Sequence, residues 1–322
     1  MPSQERLYNT ISCWGEVNPL IVVGFYRLVR QTNLGKSGTD VKEDQSSGTA
    51  LGVTVIRAVH QLIDSFPHIL EDRISLQLID TALREEILQN PERYRSQSTR
   101  ALRSHVVLRS RYAEDSLLEA VQSGVRQFVS LGAGYDTFAY RQPVWAQILK
   151  MVEVDHPATQ SSKIDLFKQK GIIVPENVEF LPLDFEKENL ELGLARTALD
   201  PTLPVFVACL GVLAYLHVYT VRSLFRCIGK LPKLTRLVFT FAMNTMENSG
   251  QDDQPQTLSG RTAARGEPWL ARFDLEDLKY ELDRSGFSKL WFLDPSEAAA
   301  KYYEGRDDLP PPRKVTMGQA IV

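Results

Sequence analysis

The spacing of apolar positions changes along the chain. Between residues 49 and 90 apolar side chains recur every three or four positions, as one face of a helix requires. They are Leu51, Val55, Val59, Leu62, Ile63, Ile74, Leu78, Ile79 and Leu83. The stretch 114–125 has the same spacing and reaches Gly124, a residue typical of helix ends. The pattern predicts helices that pack by one face in the first third of the chain.

Short continuous apolar runs follow, with helix-like stretches between most of them. The first five runs cover 126–131, 151–154, 178–181, 205–208 and 237–241. Strands that alternate with helices predict a parallel sheet covered on both faces. After a helix that begins near Asp274 and ends at Gly286, the runs 287–293 and 315–322 predict two late strands that pair as a hairpin at the sheet edge. The chain is therefore predicted to be an α/β protein.

The same pattern suggests a division of the chain into three parts. Residues 1–48 form an N-terminal segment that ends in a polar linker, predicted to be mobile. Residues 49–100 form a helical cap, and residues 101–322 form the main domain. A polar loop at 245–270 is long enough to cover an active site.

Composition excludes several classes of protein. The chain has 322 residues, a formal net charge of −3 and 43% hydrophobic residues, which fits a globular protein and disfavours a nucleic-acid partner. The apolar run 19–25 is too short to span a bilayer and has no signal-peptide start, so no membrane association is expected. Three cysteines without a CxxC pair indicate a reducing, cytoplasmic setting. No histidine pattern indicates a metal site.

The segment with chemical content begins where the first strand ends, at Gly132, Ala133 and Gly134. Two glycines let the backbone pass close to a ligand at the carboxyl edge of a parallel sheet. A dinucleotide fingerprint would place its third glycine at position 137, where this chain has Thr137. This difference favours a nucleoside ligand without phosphates over the alternative, a nicotinamide-dependent oxidoreductase.

Acidic residues follow the next two predicted strands. Asp155 lies 21 residues after Gly134, where a carboxylate can accept hydrogen bonds from both ribose hydroxyls, although it could instead cap the next helix. Asp184 and Phe185 could frame an adenine ring, or they could be a turn aspartate and a core phenylalanine. Three such elements in order at strand ends favour a nucleoside site.

Several segments together resemble a known family. These are 109–115 (RSRYAED), 131–137 (LGAGYDT), 153–157 (EVDHP), 211–216 (GVLAYL) and 266–269 (GEPW). They resemble the motifs of the leucine carboxyl methyltransferase family, and more closely its bacterial branch of S-adenosylmethionine-dependent O-methyltransferases of polyketide-type, secondary metabolism. The resemblance runs from about Thr49 to the C-terminus.

The resemblance implies a class I methyltransferase fold, a Rossmann-like seven-stranded sheet with an N-terminal helical cap, and S-adenosylmethionine as cofactor. It assigns the methionine carboxylate to Arg111, a close backbone approach to Gly132, Ala133 and Gly134, the ribose to Asp155, and the adenine to Asp184 and Phe185. Many members carry a glutamate, facing the cofactor ammonium, where this chain has Leu210. Backbone carbonyls of Gly132 or Leu210 are candidates to replace that contact.

The expected activity is methylation of a carboxylate or hydroxyl oxygen on a small metabolite. Glu267, Arg265 and Tyr215 are candidates to orient or deprotonate the acceptor, and Tyr112, Tyr140 and His217 also lie near motif ends. For each of these residues a structural role is an equal alternative. Three other functions remain open: methylation of a protein C-terminal leucine, cofactor binding without catalysis, and the nicotinamide-dependent oxidoreductase.

Overall fold

A computed structural model describes residues 47–244 and 267–322 of the chain. The helices of this part are α1 (Gly48–Ile63), α2 (Arg73–Leu78), α3 (Thr81–Gln89), α4 (Gln97–Gln122), α5 (Pro157–Gln169), α6 (Leu190–Leu194), α7 (Val218–Ile228), α8 (Leu275–Arg284) and α9 (Pro295–Tyr302). The strands are β1 (Gln127–Leu131), β2 (Lys150–Asp155), β3 (Val178–Pro182), β4 (Val205–Cys209), β5 (Arg236–Thr240), β6 (Lys289–Phe292) and β7 (Met317–Ile321).

The seven strands form one sheet in the order β3-β2-β1-β4-β5-β7-β6. Strands β1 to β5 are parallel, and β7 is antiparallel to both β5 and β6. The expectation of a Rossmann-like seven-stranded sheet of the class I methyltransferase type is confirmed. The two late strands pair antiparallel at the sheet edge, as predicted, with α9 between them in sequence, and the last strand, β7, lies between β5 and the edge strand β6.

The strands are apolar because helices cover both faces of the sheet. All five residues of β4 are buried. Val207 and Leu237 pack on one face with residues of α7 and α8 such as Leu224 and Leu278. On the other face a separate apolar cluster joins α4 to the sheet through Leu117, Val121, Phe128, Phe206 and Val238. A parallel sheet buried on both faces requires continuous apolar strands, which is the pattern the sequence shows.

The helices predicted over 49–90 are present as α1, α2 and α3. Helix α4 begins at Gln97, where the Ser96 side chain accepts a hydrogen bond from the amide of Thr99, so it is much longer than the segment 114–125 that its pattern predicts. The division into cap and main domain stays a prediction. The N-terminal linker, except residues 47 and 48, and most of the cover loop 245–270 lie outside the described residues. No helix in the described ranges is long and apolar enough to cross a membrane.

Candidate active site

A cavity of about 740 Å³ lies at the carboxyl ends of β1 to β4, where ligands bind in open α/β sheets. The loops after these strands form its floor. Helix α1, helix α4 and residues 267–270 form the walls and the roof. A volume of this size is typical of sites for small molecules.

The loop after β1 brings backbone close to the cavity. Gly132 and Gly134 have φ angles of +64° and +49°, which residues other than glycine rarely adopt. A Cβ atom on Gly132 would lie 2.2 Å from Cγ2 of Val212, and one on Gly134 would lie 3.1 Å from Cβ of Ala50 in α1. Side chains at positions 132 and 134 would therefore crowd Val212 and Ala50, respectively. Ala133 also lines the cavity.

Asp155 ends β2 and faces the same loop. One carboxylate oxygen accepts a hydrogen bond from the amide of Gly134, and the other accepts from the amide of His156 at 2.7 Å. Because a carboxylate has about four acceptor positions, Asp155 keeps acceptor capacity toward the cavity. Burial raises the pKa of Asp155, and the two amide bonds oppose that shift. The helix-cap alternative does not apply, since His156 is the N-cap of α5.

Asp184 and Phe185 follow β3 and both line the cavity. One oxygen of Asp184 accepts from the amide of Glu186 at 3.0 Å, as in a turn, and the other lies 3.7 Å from Nε2 of His156. Phe185 is partly buried against the core cluster of the sheet. Asp184 is therefore a turn aspartate and Phe185 packs against the core, and both residues also line the cavity.

The geometry does not support the role that the resemblance gives to Arg111. This side chain is 45% exposed and pairs with Asp115, one turn further along α4, at 2.7 Å. It is absent from the residues that line the cavity. Residues two apart on a helix point about 200° apart, so Arg111 faces away from the cavity that Arg109 lines.

Arg109 faces the cavity instead. Its Nε atom is buried without a hydrogen-bond partner, and none of the ion pairs within residues 47–244 and 267–322 includes it. Its guanidinium packs against Gly211, where a Cβ atom would lie 2.5 Å from Nη1. Burial and the nearby charge of Arg57 lower the pKa of Arg109 to about 10, so the group stays cationic at neutral pH. A cation that lines a cavity and forms no ion pair in the described ranges is the arrangement expected of an anion-binding site.

Arg57, which sequence reasoning missed, joins α1 to the glycine loop. This residue is 3% exposed, and its Nη2 donates to Asp136 and to Ser110 of α4, each at 2.7 Å. Burial alone would raise the pKa of Asp136, but the charges of Arg57 and Arg141 hold it well below its usual range. The contacts of Arg57 fix α1, α4 and the loop after β1 relative to one another.

One part of the cavity lining is largely apolar, and we call it the acceptor lobe. It comprises Val59, Tyr94, Thr99, Leu102, His105, Val106, Phe241 and Trp269, with the polar Ser98 and Arg103 of α4 among them. His105 lies four residues, about one helical turn, before Arg109. This spacing places both residues on the same face of α4 and could have indicated that both line the cavity. Burial and the charge of Arg109 lower the pKa of His105 to about 3. The imidazole is therefore neutral near pH 7.

This neutral histidine makes folding stability depend on pH. The unfolded chain protonates His105 near pH 6.5, whereas the folded chain does so only near pH 3. Neutral His105 therefore does not lower the unfolding free energy above about pH 6.5, but the unfolding free energy falls as the pH drops below that value, because only the unfolded chain takes up the proton. We expect His105→Asn to reduce the drop in unfolding free energy between about pH 7.5 and pH 5.5 by about 1 kcal/mol. Urea unfolding at both pH values measures this, and equal drops in variant and wild type would contradict it.

The other candidates are dispersed. Tyr215 and Glu267 line the cavity, as does Leu210, whereas Arg265 lies outside the described residues. The hydroxyl of Tyr140 donates to Glu153 beneath the sheet, and His217 pairs with Glu186 at 3.2 Å. Tyr112 packs between two apolar clusters. Tyr112, Tyr140 and His217 are not among the cavity-lining residues. The described residues contain no group of three or more His, Cys, Asp or Glu placed to hold a metal ion.

Comparison with known proteins identifies the family of the chain. The leucine carboxyl methyltransferase family matches residues 50–229, which is more than half of the chain. A Bacillus subtilis protein whose name describes it as an S-adenosyl-L-methionine-dependent methyltransferase, YktD, is 28% identical over 295 residues, covering 83% of this chain and 95% of that protein. A Frankia alni protein of the same description is 33% identical over 126 residues, covering 39% of this chain and 43% of that protein.

Among solved structures, a DUF574 family protein from Streptomyces avermitilis aligns with a TM-score of 0.49 and 18% identity, covering 88% of this chain and 98% of that one.

The residues present fit the cofactor of this family. The glycine loop permits a close backbone approach, Asp155 has free acceptor capacity, and Arg109 is a buried cation with an unpartnered Nε. These are the groups that a nucleoside with an amino-acid tail requires. The chain belongs to the leucine carboxyl methyltransferase family and is an S-adenosylmethionine-dependent methyltransferase.

Proposed function

We propose that the chain transfers a methyl group to an oxygen of a small, partly apolar metabolite, either a carboxylate or an acidic hydroxyl. The observation that carries this proposal is the acceptor lobe. Its walls are apolar and aromatic, and His105, its one histidine among the described residues, is neutral near pH 7. Such a surface favours an acceptor that buries apolar area and presents a single polar group.

We further propose how the cofactor is bound. Arg109 binds the methionine carboxylate, Asp155 accepts hydrogen bonds from the ribose hydroxyls, and Asp184 with Phe185 frames the adenine. The support is that these four residues line one cavity and that Arg109 forms no ion pair in the described part of the chain. Helix α1, held by Arg57, then covers the cofactor from above.

The chemistry requires little of the protein beyond alignment. The cofactor supplies a methyl group that its sulfonium already activates, so the protein must orient the acceptor oxygen and exclude water. A carboxylate is ionised at neutral pH and needs no base. For a hydroxyl acceptor, neutral His105 can accept a hydrogen bond from the acceptor O–H. Its low pKa makes it a weak base, which favours acidic hydroxyls such as phenols and enols over alcohols.

The alternatives differ in the acceptor. Methylation of a C-terminal leucine would bring a flexible peptide backbone, with its polar groups, into the acceptor lobe. The lobe offers few donors or acceptors for such a chain, because Tyr94 is engaged by Glu86 and Arg103 by Asp64. Amine acceptors would need a carboxylate, and the cavity carboxylate beside the lobe, Glu267, already accepts from the amide of Gly48 and the hydroxyl of Thr49.

A labelled-methyl transfer assay tests the proposal. The panel contains aliphatic and aromatic carboxylic acids, phenols, amines and peptides that end in leucine, each with the same labelled cofactor. We expect transfer to the oxygen of small acids or phenols. Loss of label on mild base treatment identifies an ester, and retention identifies an ether. Transfer confined to nitrogen, to carbon or to the peptide C-terminus would refute the proposal.

A role in polyketide-type secondary metabolism remains part of this proposal. It is supported by the resemblance of the motifs and by the apolar lobe, which suits acidic, largely apolar products.

A further inference from the structure

Four carboxylates line the described part of the cavity: Asp136, Asp155, Asp184 and Glu267. Asp136 and Asp184 lie beside cations of the protein, and Asp155 is the acceptor that we propose for the ribose. Asp136 is neutralised by Arg57 at 2.7 Å, Asp155 accepts from two backbone amides, and Asp184 lies 3.5 Å from the ammonium of Lys187. Glu267 alone lies in the roof, on the side of Tyr215 and Trp269.

Glu267 is held in place but not neutralised. One oxygen accepts from the amide of Gly48 at 3.0 Å, and the other accepts from the hydroxyl of Thr49. No lysine, arginine or histidine of the described residues forms an ion pair with it. The segment after Glu267 is fixed as well, since the amide of Leu270 donates to the carbonyl of Ala214 at 2.6 Å. The carboxylate is therefore a fixed negative charge in the cavity wall.

The cavity also contains a positive charge. Arg109 lines it and forms no ion pair in the described ranges, although the charge of Asp136 acts on its guanidinium. Both charges reach the hydroxyl of Tyr215: burial raises the pKa of Tyr215, Glu267 raises it further, and Arg109 opposes the rise. A cation and an anion that both act on one hydroxyl of the cavity match the zwitterion of an α-amino acid, in which the carboxylate and the ammonium share one carbon.

The fourth strand does not offer such an anion. Leu210 follows β4 and lines the cavity, and its side chain cannot bind a cation. The carbonyls of Gly132 and Leu210 offer partial charges only. We propose that Glu267 binds the α-ammonium group of S-adenosylmethionine and thereby replaces, from the roof of the cavity, an acid that position 210 lacks.

Calorimetry with two ligands tests this proposal. The ligands are S-adenosylhomocysteine, which carries the same amino-acid tail, and its analogue without the α-amino group. For Glu267→Gln we expect affinity for S-adenosylhomocysteine to fall about tenfold or more, because a charge-assisted contact is lost. Affinity for the analogue should change by less than about threefold, since it has no ammonium. No acceptor is needed, so the outcome is independent of the proposed O-methylation.

Thr49→Val is the matched control. It removes the hydroxyl that donates to Glu267 but keeps the carboxylate, so any selective loss of affinity for S-adenosylhomocysteine should be much smaller than in Glu267→Gln. A purely structural role of Glu267 would weaken both ligands equally in Glu267→Gln, and that result would overturn the proposal. Unchanged affinity for S-adenosylhomocysteine in a Glu267→Gln protein that melts like the wild type would overturn it too.

Discussion

Replacing Arg109 with glutamine is expected to weaken S-adenosylmethionine binding by about 10- to 100-fold. A hydrogen bond to a charged group contributes about 1.5 to 3 kcal/mol, and a loss of about 1.4 kcal/mol lowers the affinity about tenfold. Arg109 lines the cavity and, unlike Arg57, forms no ion pair in the described ranges, and a planar guanidinium binds a carboxylate at two points. Titration calorimetry on the purified variant measures the loss directly.

Arg111→Gln is the matched control on the same helix. Its side chain is 45% exposed and its partner is Asp115, so the pair contributes at most about 1 kcal/mol to stability. We expect cofactor affinity to stay within about twofold of the wild type. The opposite result, loss in the Arg111 variant with retention in the Arg109 variant, would restore the assignment that the motif resemblance implies.

The Arg109 variant should also separate function from stability. Arg109 forms no ion pair in the described ranges and its Nε is buried without a partner, so Arg109→Gln is expected to leave the unliganded fold about as stable as the wild type. Thermal unfolding without ligand measures this. A strongly destabilised variant would show that Arg109 supports the fold and that its loss of binding is indirect.

The strand content of the fold could be predicted because parallel strands covered on both faces are continuous apolar runs. All seven predicted strands are present. The position of β7 between β5 and β6 could not be predicted, since apolar runs record burial and not which strand lies beside which. The start of α4 at Gln97 was missed because its first turn is polar and partly exposed, so the apolar spacing begins only later.

The glycine loop and Asp155 could be predicted from spacing alone, because both follow apolar runs that become neighbouring strands. The choice between Arg109 and Arg111 could not. The two residues share one motif and one helix, and only the rotation of α4 against the sheet decides which of them reaches the cavity. Arg57 was missed for a related reason. Its function depends on Asp136, which is 79 residues away in sequence.

One buried ion pair supports β2 beneath the cofactor site. The ammonium of Lys163 in α5 lies 2.7 Å from a carboxylate oxygen of Glu153, and these residues are only 1% and 2% exposed. The hydroxyl of Tyr140 donates to the same oxygen at 3.2 Å. The rings of Tyr140 and Phe167 lie 5.0 and 5.3 Å from the ammonium. Glu153 precedes Asp155 by two residues, so the pair fixes the strand that ends in Asp155, the residue proposed to bind the ribose.

Lys163→Met is expected to destabilise the fold by about 3 to 5 kcal/mol near pH 8, because it leaves the carboxylate of Glu153 buried without its cation. Adding Glu153→Gln removes that charge while keeping an oxygen that accepts from Tyr140. The double variant should therefore regain most of the loss. Urea unfolding of the single and double variants measures both values. A double variant no more stable than Lys163→Met would show that packing of the lysine, rather than charge, accounts for the effect.

The pH dependence of stability in the Lys163→Met variant provides a second test of the effect of the Glu153 charge. Burial raises the pKa of Glu153 in the folded chain, and Lys163 opposes that shift, so its removal must raise this pKa further. A carboxyl group whose folded pKa is raised destabilises the fold as the pH rises above its unfolded value, by up to about 1.4 kcal/mol per pH unit. The penalty of Lys163→Met should therefore be smaller at about pH 5 than at about pH 8. In the double variant this extra pH dependence should vanish, because glutamine does not titrate.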